Sequence, residues 1–171
     1  MGRLRVNNLL YPLDPMLTQL KQLARQVDGR YATPDELAFL KNYLDSVDTR
    51  LQAYEKIRDA NEEIQKEVHD HIEAADTKFF KRGDLDISAI CQRDREHGLR
   101  CISVSMLLND IQRLRDDYLV WDQKIVRAFR EVHPVEVTYG VLSQVMQSHL
   151  APEGYKLVSP FLQATQVALT V

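Results

Sequence analysis

Apolar residues recur every three or four positions along most of the chain, the spacing that puts them on one face of an α-helix. Leu17, Leu20, Leu23, Ala24 and Val27 predict a first helix, and Asp28-Gly29 predicts its stop. The next start is marked by Thr33 as N-cap, Pro34 at the first helical position and Glu36 three residues after the cap. Its apolar positions continue through Leu37, Leu40, Leu44, Val47, Leu51 and Tyr54. The stretch "EKIRDANEEIQKEVHDHIEAADTKFF" carries Ile57, Ile64, Val68 and Ile72 against an almost wholly charged opposite face. "KRGDLD" breaks that run, and a helix starting at Asp84 or Asp86 is expected to pass through Cys91 to about Leu108. "DIQRLRDDYLVWDQKIVRAFREVH" gives one or two more, followed by Pro134, "VEVTYGVLSQVMQSHL", "APEGYK" and the apolar "LVSPFLQATQVAL". No strand is predicted, although "VEVTYGV" alternates apolar and polar residues and is ambiguous. The expectation is an all-α protein of about seven to nine helices, without repeats or low-complexity segments.

Composition narrows the class. The 171 residues are 44% hydrophobic and 27% charged, ordinary values for a globular protein large enough to bury a core. A net charge of −3 argues against nucleic acid as a partner, because phosphate binding needs a basic face. No apolar run reaches the roughly 20 residues of a membrane span, and "MGRLRVNNLLYPLDP" lacks a secretory apolar core. A cytoplasmic protein with reduced cysteines is expected.

Both cysteines lie in "CQRDREHGLRC". On one helix, Cys91 and Cys101 stand about 15 Å apart along the axis, and a disulfide needs Cα atoms within roughly 7 Å. Zinc is disfavoured by the spacing, with no histidine at i+3 or i+4 from either cysteine. A Cys91–His97 nucleophile pair would be split between faces. Asp94, Arg95 and Gly98 fall about 60°, about 40° and about 20° from Cys91 around the wheel. A thiol can form a thioether, a carboxylate can accept pyrrole N–H bonds, an arginine can grip a propionate, and a glycine lets a flat ring approach. These are the needs of a covalently held open-chain tetrapyrrole. The same four residues also suit a buried structural cysteine beside a surface ion pair. His69 and His71 are read as a solvated helix face, and Phe79 and Phe80 as closing the core or a pocket near the loop. Tyr118 and Trp121 are read as pocket walls or core, and Leu17, Tyr31 and Tyr43 as packing or subunit interface.

From about residue 17 to residue 168 the chain resembles the phycobiliproteins, the globin-like light-harvesting family that includes allophycocyanin and phycocyanin. "DGRYATPDELAFLKNYLDSVDTRL" is similar to the family's "-RYLSPGEL-" helix and following "-RL-". "ANEEIQKEV" stands where the family has "-N-E-IV-", and Asn109-Asp110 where it has "-GD-". Pro134 matches the proline before the next helix. "CQRDREHGLR" resembles the family's "C-L-R-D" with a trailing "-L-R-". The resemblance implies a globin-like fold with an N-terminal helical hairpin at about residues 13 to 32. It implies one domain over 1–171, with 1–32 as extension and hairpin and 33–171 as the globin-like part. It implies a bilin, such as phycocyanobilin, bonded to Cys91, with a propionate on Arg93 and the pyrrole nitrogens on Asp94. The helical wheel prefers Arg95 for the propionate, and an arginine is long enough to reach from the flank.

The departures point to a divergent member, such as a bilin-biosynthesis-associated globin. His97 and Gly98 replace bulky tyrosines, Ile90 replaces a small residue or lysine, and the loop before Cys91 lacks a Gly- and Pro-rich insertion. Gln26 replaces the aspartate that, in the family, pairs subunits against an arginine like Arg100. The first 12 residues have no counterpart. The expected cofactor-binding set is Cys91, Arg93, Asp94, Arg95, His97, Gly98, Tyr118 and Trp121, with no metal ligands. Three functions compete. One is a bilin protein for light harvesting or bilin handling. The second is a heme globin using His97, His133 or Cys91, disfavoured because residues 104 to 132 contain no histidine. The third is a pigment-free assembly or regulatory protein. No enzyme is expected, for want of catalytic groups at workable spacing. Partners would be a tetrapyrrole and a second subunit, as homodimer or heterodimer through the hairpin, with no nucleic acid. The location would be the cytoplasm, in association with the cytoplasmic face of thylakoid membranes or free of it.

Overall fold

The computed structural model describes residues 15–171, so the expectation about the first 12 residues lies outside them. The described residues form an all-α, globin-like arrangement. α1 spans Met16–Gln26, α2 Ala38–Asp59, α3 Asn61–Ala75, α4 Ser88–Leu107 and α5 Ile111–Leu114. A single π-helical turn, Arg115–Leu119, leads into α6 Val120–Phe129, and α7 Val132–His149 and α8 Pro152–Thr170 close the chain. One pair of short strands interrupts the helices: β1 Lys81–Arg82 and β2 Leu85–Asp86 pair antiparallel around Gly83, whose φ is +61°. The helix-breaking "KRGDLD" is therefore a small hairpin, and α4 starts two residues after it, at Ser88, with the Asp86 carboxylate accepting the Ser88 N–H at 2.8 Å. The ambiguous "VEVTYGV" is helical, inside α7. Alternation over so few residues is weak against a full helix packed on α3 and α8.

The start before α2 is a reciprocal capping box. Thr33 N–H donates to Glu36 Oε2 at 2.8 Å, and Glu36 N–H donates to Thr33 Oγ1 at 3.3 Å. Arg30 adds a forked pair on Glu36 at 2.6 and 2.9 Å. The first turn is tight, with Leu37 N–H shared between the Thr33 and Pro34 carbonyls, so regular α2 begins only at Ala38. Of the expected hairpin at residues 13 to 32, the described part holds one helix, α1, and then the turn at Gly29.

The core is built by Ile57, Ile64, Val68 and Ile72 from α2 and α3, Leu99, Ile102 and Met106 from α4, Leu142 and Met146 from α7, and Phe161 and Leu162 from α8. The stripe on α2 is a correction to periodicity. Leu37, Leu44 and Leu51 are exposed, while Arg50, Ala53 and Ile57 face inward. Arg50 earns its burial by serving the end of α4: Nη1 donates to the Met106 carbonyl, Nη2 to Asn109 Oδ1 at 3.2 Å, and Nε to Ser46 Oγ at 2.9 Å. A cation there also suits the negative pole of the helix. Tyr43 Oη joins it, donating to the Leu107 carbonyl at 3.1 Å. Asn109 then turns left-handed at φ 49°, and Asp110 caps α5 by accepting the Arg113 N–H at 2.9 Å. The Asn109-Asp110 pair thus has a geometric reason to stand where it does: a left-handed residue, then a cap.

Candidate functional site

α4 carries the candidate residues because it starts behind the hairpin and runs through the core. Cys91 lies in its first turn, half-buried against the core. Cys101 lies near its middle, also half-buried, and both thiols are free, as one continuous helix requires. Burial pushes the Cys91 thiol above its ordinary range, and the charges of Arg95 and Arg82 partly offset this. Arg82 comes from β1 and grips Glu131, just before α7, in a forked pair at 2.6 and 2.9 Å. The hairpin and the start of α7 thus set charges around the thiol. Neither Arg82 nor Glu131 was singled out from the sequence, because only the fold brings them near Cys91.

The two arginines separate sharply. Arg93 is exposed and donates to its neighbour Asp94, itself exposed, at 2.9 and 3.1 Å. Arg95 is 4% exposed. Its Nε donates to Gln65 Oε1 at 2.6 Å and its Nη2 to the Gln65 carbonyl at 3.3 Å. Its Nη1 is buried and has no acceptor among the described residues. No carboxylate is within ion-pair distance of it among the described residues. Burial pulls its pKa down. Gln65 has a sequence signal, a polar residue beside Ile64 and Val68 on the inward face of α3.

Gly98 does not hold open a space for a ring. A Cβ there would lie 2.6 Å from Tyr139 Oη and 2.8 Å from Tyr118 Oη. Those hydroxyls bond each other at 3.0 Å, and Tyr118 Oη donates to Asp122 Oδ2 at 3.0 Å. Burial raises both phenols, and raises the Asp122 carboxyl. His97 stands edge-on to the Tyr118 ring at 5.5 Å. Tyr118 sits on the π-helical turn, which swings it inward. Tyr139 was hidden in the ambiguous stretch. Trp121 is 68% exposed, which corrects the core-packing reading. The solvated reading of His69 is also corrected: its ring stacks on buried Phe80 at 4.5 Å, with Phe79 edge-on to Phe80. His71 is exposed as expected, and Tyr31 is 97% exposed among the described residues.

Two described cavities lie elsewhere. One of about 420 Å³ opens between α1, α2 and α8, lined by Phe39, Tyr43, Arg50, Lys156, Pro160 and Phe161 among others. One of about 210 Å³ lies over His97 and Cys101. His97 Nε2 is 3.9 Å from Cys101 Sγ. Counting forward from each cysteine missed this pair, because the histidine precedes its cysteine by one helical turn.

A globin-like helical fold with Cys91, Arg93, Asp94, Arg95, His97 and Gly98 on one central helix defines the class. The family model described as phycobilisome protein matches residues 23–169. The allophycocyanin alpha chain of Mastigocladus laminosus is 24% identical over 137 residues, which are 74% of this chain and 82% of that protein. The allophycocyanin alpha chain of Thermosynechococcus vestitus is 26% identical over 103 residues, 54% of this chain and 60% of that protein. The chain belongs to the phycobilisome protein family.

Proposed function

We propose that the chain binds an open-chain tetrapyrrole, held by a thioether at Cys91, for light harvesting or bilin handling. The observation that carries this reading is Arg95. A buried guanidinium without a carboxylate, and with one donor unmet, is costly unless an anion completes it. A bilin bonded one helical turn away brings propionates of the right charge and reach. Arg95 takes one carboxylate, Arg93 the other, and Asp94 accepts from the pyrrole N–H groups. For Arg93 and Asp94 to take those roles the exposed Arg93–Asp94 pair must part, and such pairs are worth at most about 1 kcal/mol; for Arg95 to take its carboxylate the side chains that cover it must open. The donor set therefore fits a bilin of the phycocyanobilin kind. When bound, the pigment supplies absorption of visible light. His97, Tyr118 and Trp121 would flank it. Gly98 is reassigned from ring contact to tyrosine packing.

The rest of the reading follows the family. Residues 1–171 act as one globin-like unit, a pigment protein rather than an enzyme, in the cytoplasm or on the cytoplasmic face of thylakoids. No described helix is long and apolar enough to cross a membrane. The partner is a second subunit, alike or different, on the exposed apolar face of α1 and α2.

An absorption spectrum tests the pigment, taken on protein from cells making both heme and phycocyanobilin and repeated after acid-urea denaturation. A red band that stays with the denatured chain and disappears in Cys91→Ala is expected. Arg95→Met should lower pigment loading at least about tenfold yet leave the pigment-free protein folded, because the removal of an unpaired buried charge offsets the loss of its hydrogen bonds to Gln65. A Soret band would instead indicate a heme globin. No band of either kind would indicate a pigment-free assembly protein.

A further inference from the structure

We propose that Cys101 and His97 form a thiol–disulfide exchange site, separate from Cys91, that takes a small zwitterionic disulfide of the glutathione-disulfide class. Cys101 Sγ and His97 Nε2 are 3.9 Å apart, within the reach of a sulfur hydrogen bond. They share a cleft of about 210 Å³ with Arg100, Arg113, Asp117, Val104, Ser105 and Leu114, on a face of α4 covered by α5 and the π-helical turn. Such a space suits one arm of a peptide-sized ligand.

The walls match a zwitterion. Arg113 pairs with Asp117 at 3.3 Å, and Arg100 reaches Glu96 at 4.0 Å. All four side chains have solvent access, and exposed pairs of this kind are worth little, so they open at small cost. The arginines then receive ligand carboxylates in forked pairs, and Asp117 receives an ammonium.

The groups facing the thiol are His97 and Arg100 from α4, Arg113 from α5, Asp117 from the π-helical turn, Asp122 from α6 and Tyr139 from α7. Burial outweighs the two arginines and holds the thiol above its ordinary range. Free thiolate is therefore scarce near neutral pH, and a neighbouring base matters. His97, in the tautomer with Nε2 unprotonated, takes the Cys101 proton. The Sγ thiolate attacks one sulfur of the disulfide. The Sγ–S bond forms as the S–S bond breaks, and the departing thiolate recovers the proton from His97. The protein thiol is oxidised, and one half of the disulfide is reduced to a thiol.

The full chain carrying Cys91→Ala, incubated with glutathione disulfide and followed by intact mass and peptide mapping, tests this. Expected is one glutathionyl adduct on Cys101, with a rate that saturates in disulfide. His97→Gln should slow it about tenfold near pH 7, and the difference should shrink steadily as the pH rises and the thiolate forms without a base. Arg100→Ala with Arg113→Ala should raise the half-saturating disulfide concentration. A rate linear in disulfide and equal to that of an unfolded control peptide would overturn the proposal. So would a His97→Gln effect that persists at high pH. None of these readouts depends on pigment, so failure here and failure of the bilin reading are separate results.

Discussion

Gly98 shows how much one missing methyl decides at this site. Its neighbours are the hydroxyls of two buried phenols, at 2.6 and 2.8 Å from where a Cβ would stand. An alanine gains roughly 1 kcal/mol in helix propensity. Overpacking costs about 1–3 kcal/mol, and here the intruded atoms are rigid ring ends that also hold a hydrogen bond. The overpacking wins. Gly98→Ala is expected to destabilise the protein by up to about 2 kcal/mol, a Tm fall of up to roughly 8 °C. In a Tyr139→Phe background the cost should shrink, since the nearer oxygen is gone. Thermal melts of the two single variants and the double variant would measure the coupling, and an additive result would count against this account.

At the scale of elements, the loop into α2 has the clearest pH dependence. The Glu36 carboxyl is lowered from 4.5 to about 2, first by its hydrogen bonds from Arg30 and then by the Thr33 N–H. A folded value below the unfolded one means the contribution is fully present above about pH 4.5. It is lost as the pH falls toward 2, where the folded carboxylate takes its proton. In Glu36→Gln the Tm should therefore be lower at pH 6, and the variant and the parent should converge as the pH approaches 2. Melts across that range check it, and a gap that widened in acid would contradict the capping role. Elsewhere, the π-helical turn and the β-hairpin are the elements that aim side chains, one bringing Tyr118 under Gly98 and the other bringing Arg82 beside Cys91.

The whole molecule leaves an apolar face uncovered. Leu44 is 56% exposed and Leu51 44% on α2, with Leu37 before it and Leu17 and Leu20 on α1. Leu37, Leu44 and Leu51, seven residues apart and all turned outward, fit contact with another subunit better than solvent. Leu44→Asp with Leu51→Asp is expected to shift the protein to monomer in light-scattering chromatography and leave its helical circular dichroism unchanged. A monomeric parent protein would remove the basis for that interface. Gln26 stands in place of the aspartate expected to pair subunits against an arginine like Arg100, so that charged contact lacks its carboxylate, and the α2 face offers an apolar alternative.

The sequence by itself determined the helices, their order, the capping box at Thr33 and Glu36, and the central place of "CQRDREHGLRC". These are local: spacing of apolar residues, turn residues and caps act within a few positions. The resemblance to phycobiliproteins was likewise legible, in the residues that match along the chain. Only the tertiary structure decided which face of α2 is inside, since Leu37, Leu44 and Leu51 satisfy helical periodicity as well as Ala53 and Ile57 do. It also decided that Arg95 is buried and Arg93 is not, and that the space at Gly98 belongs to tyrosines. His97 found its partner in Cys101, one turn away, and Arg82 came to Cys91 from another element. Burial and long-range proximity depend on how helices pack against each other, and no single segment's pattern carries that information.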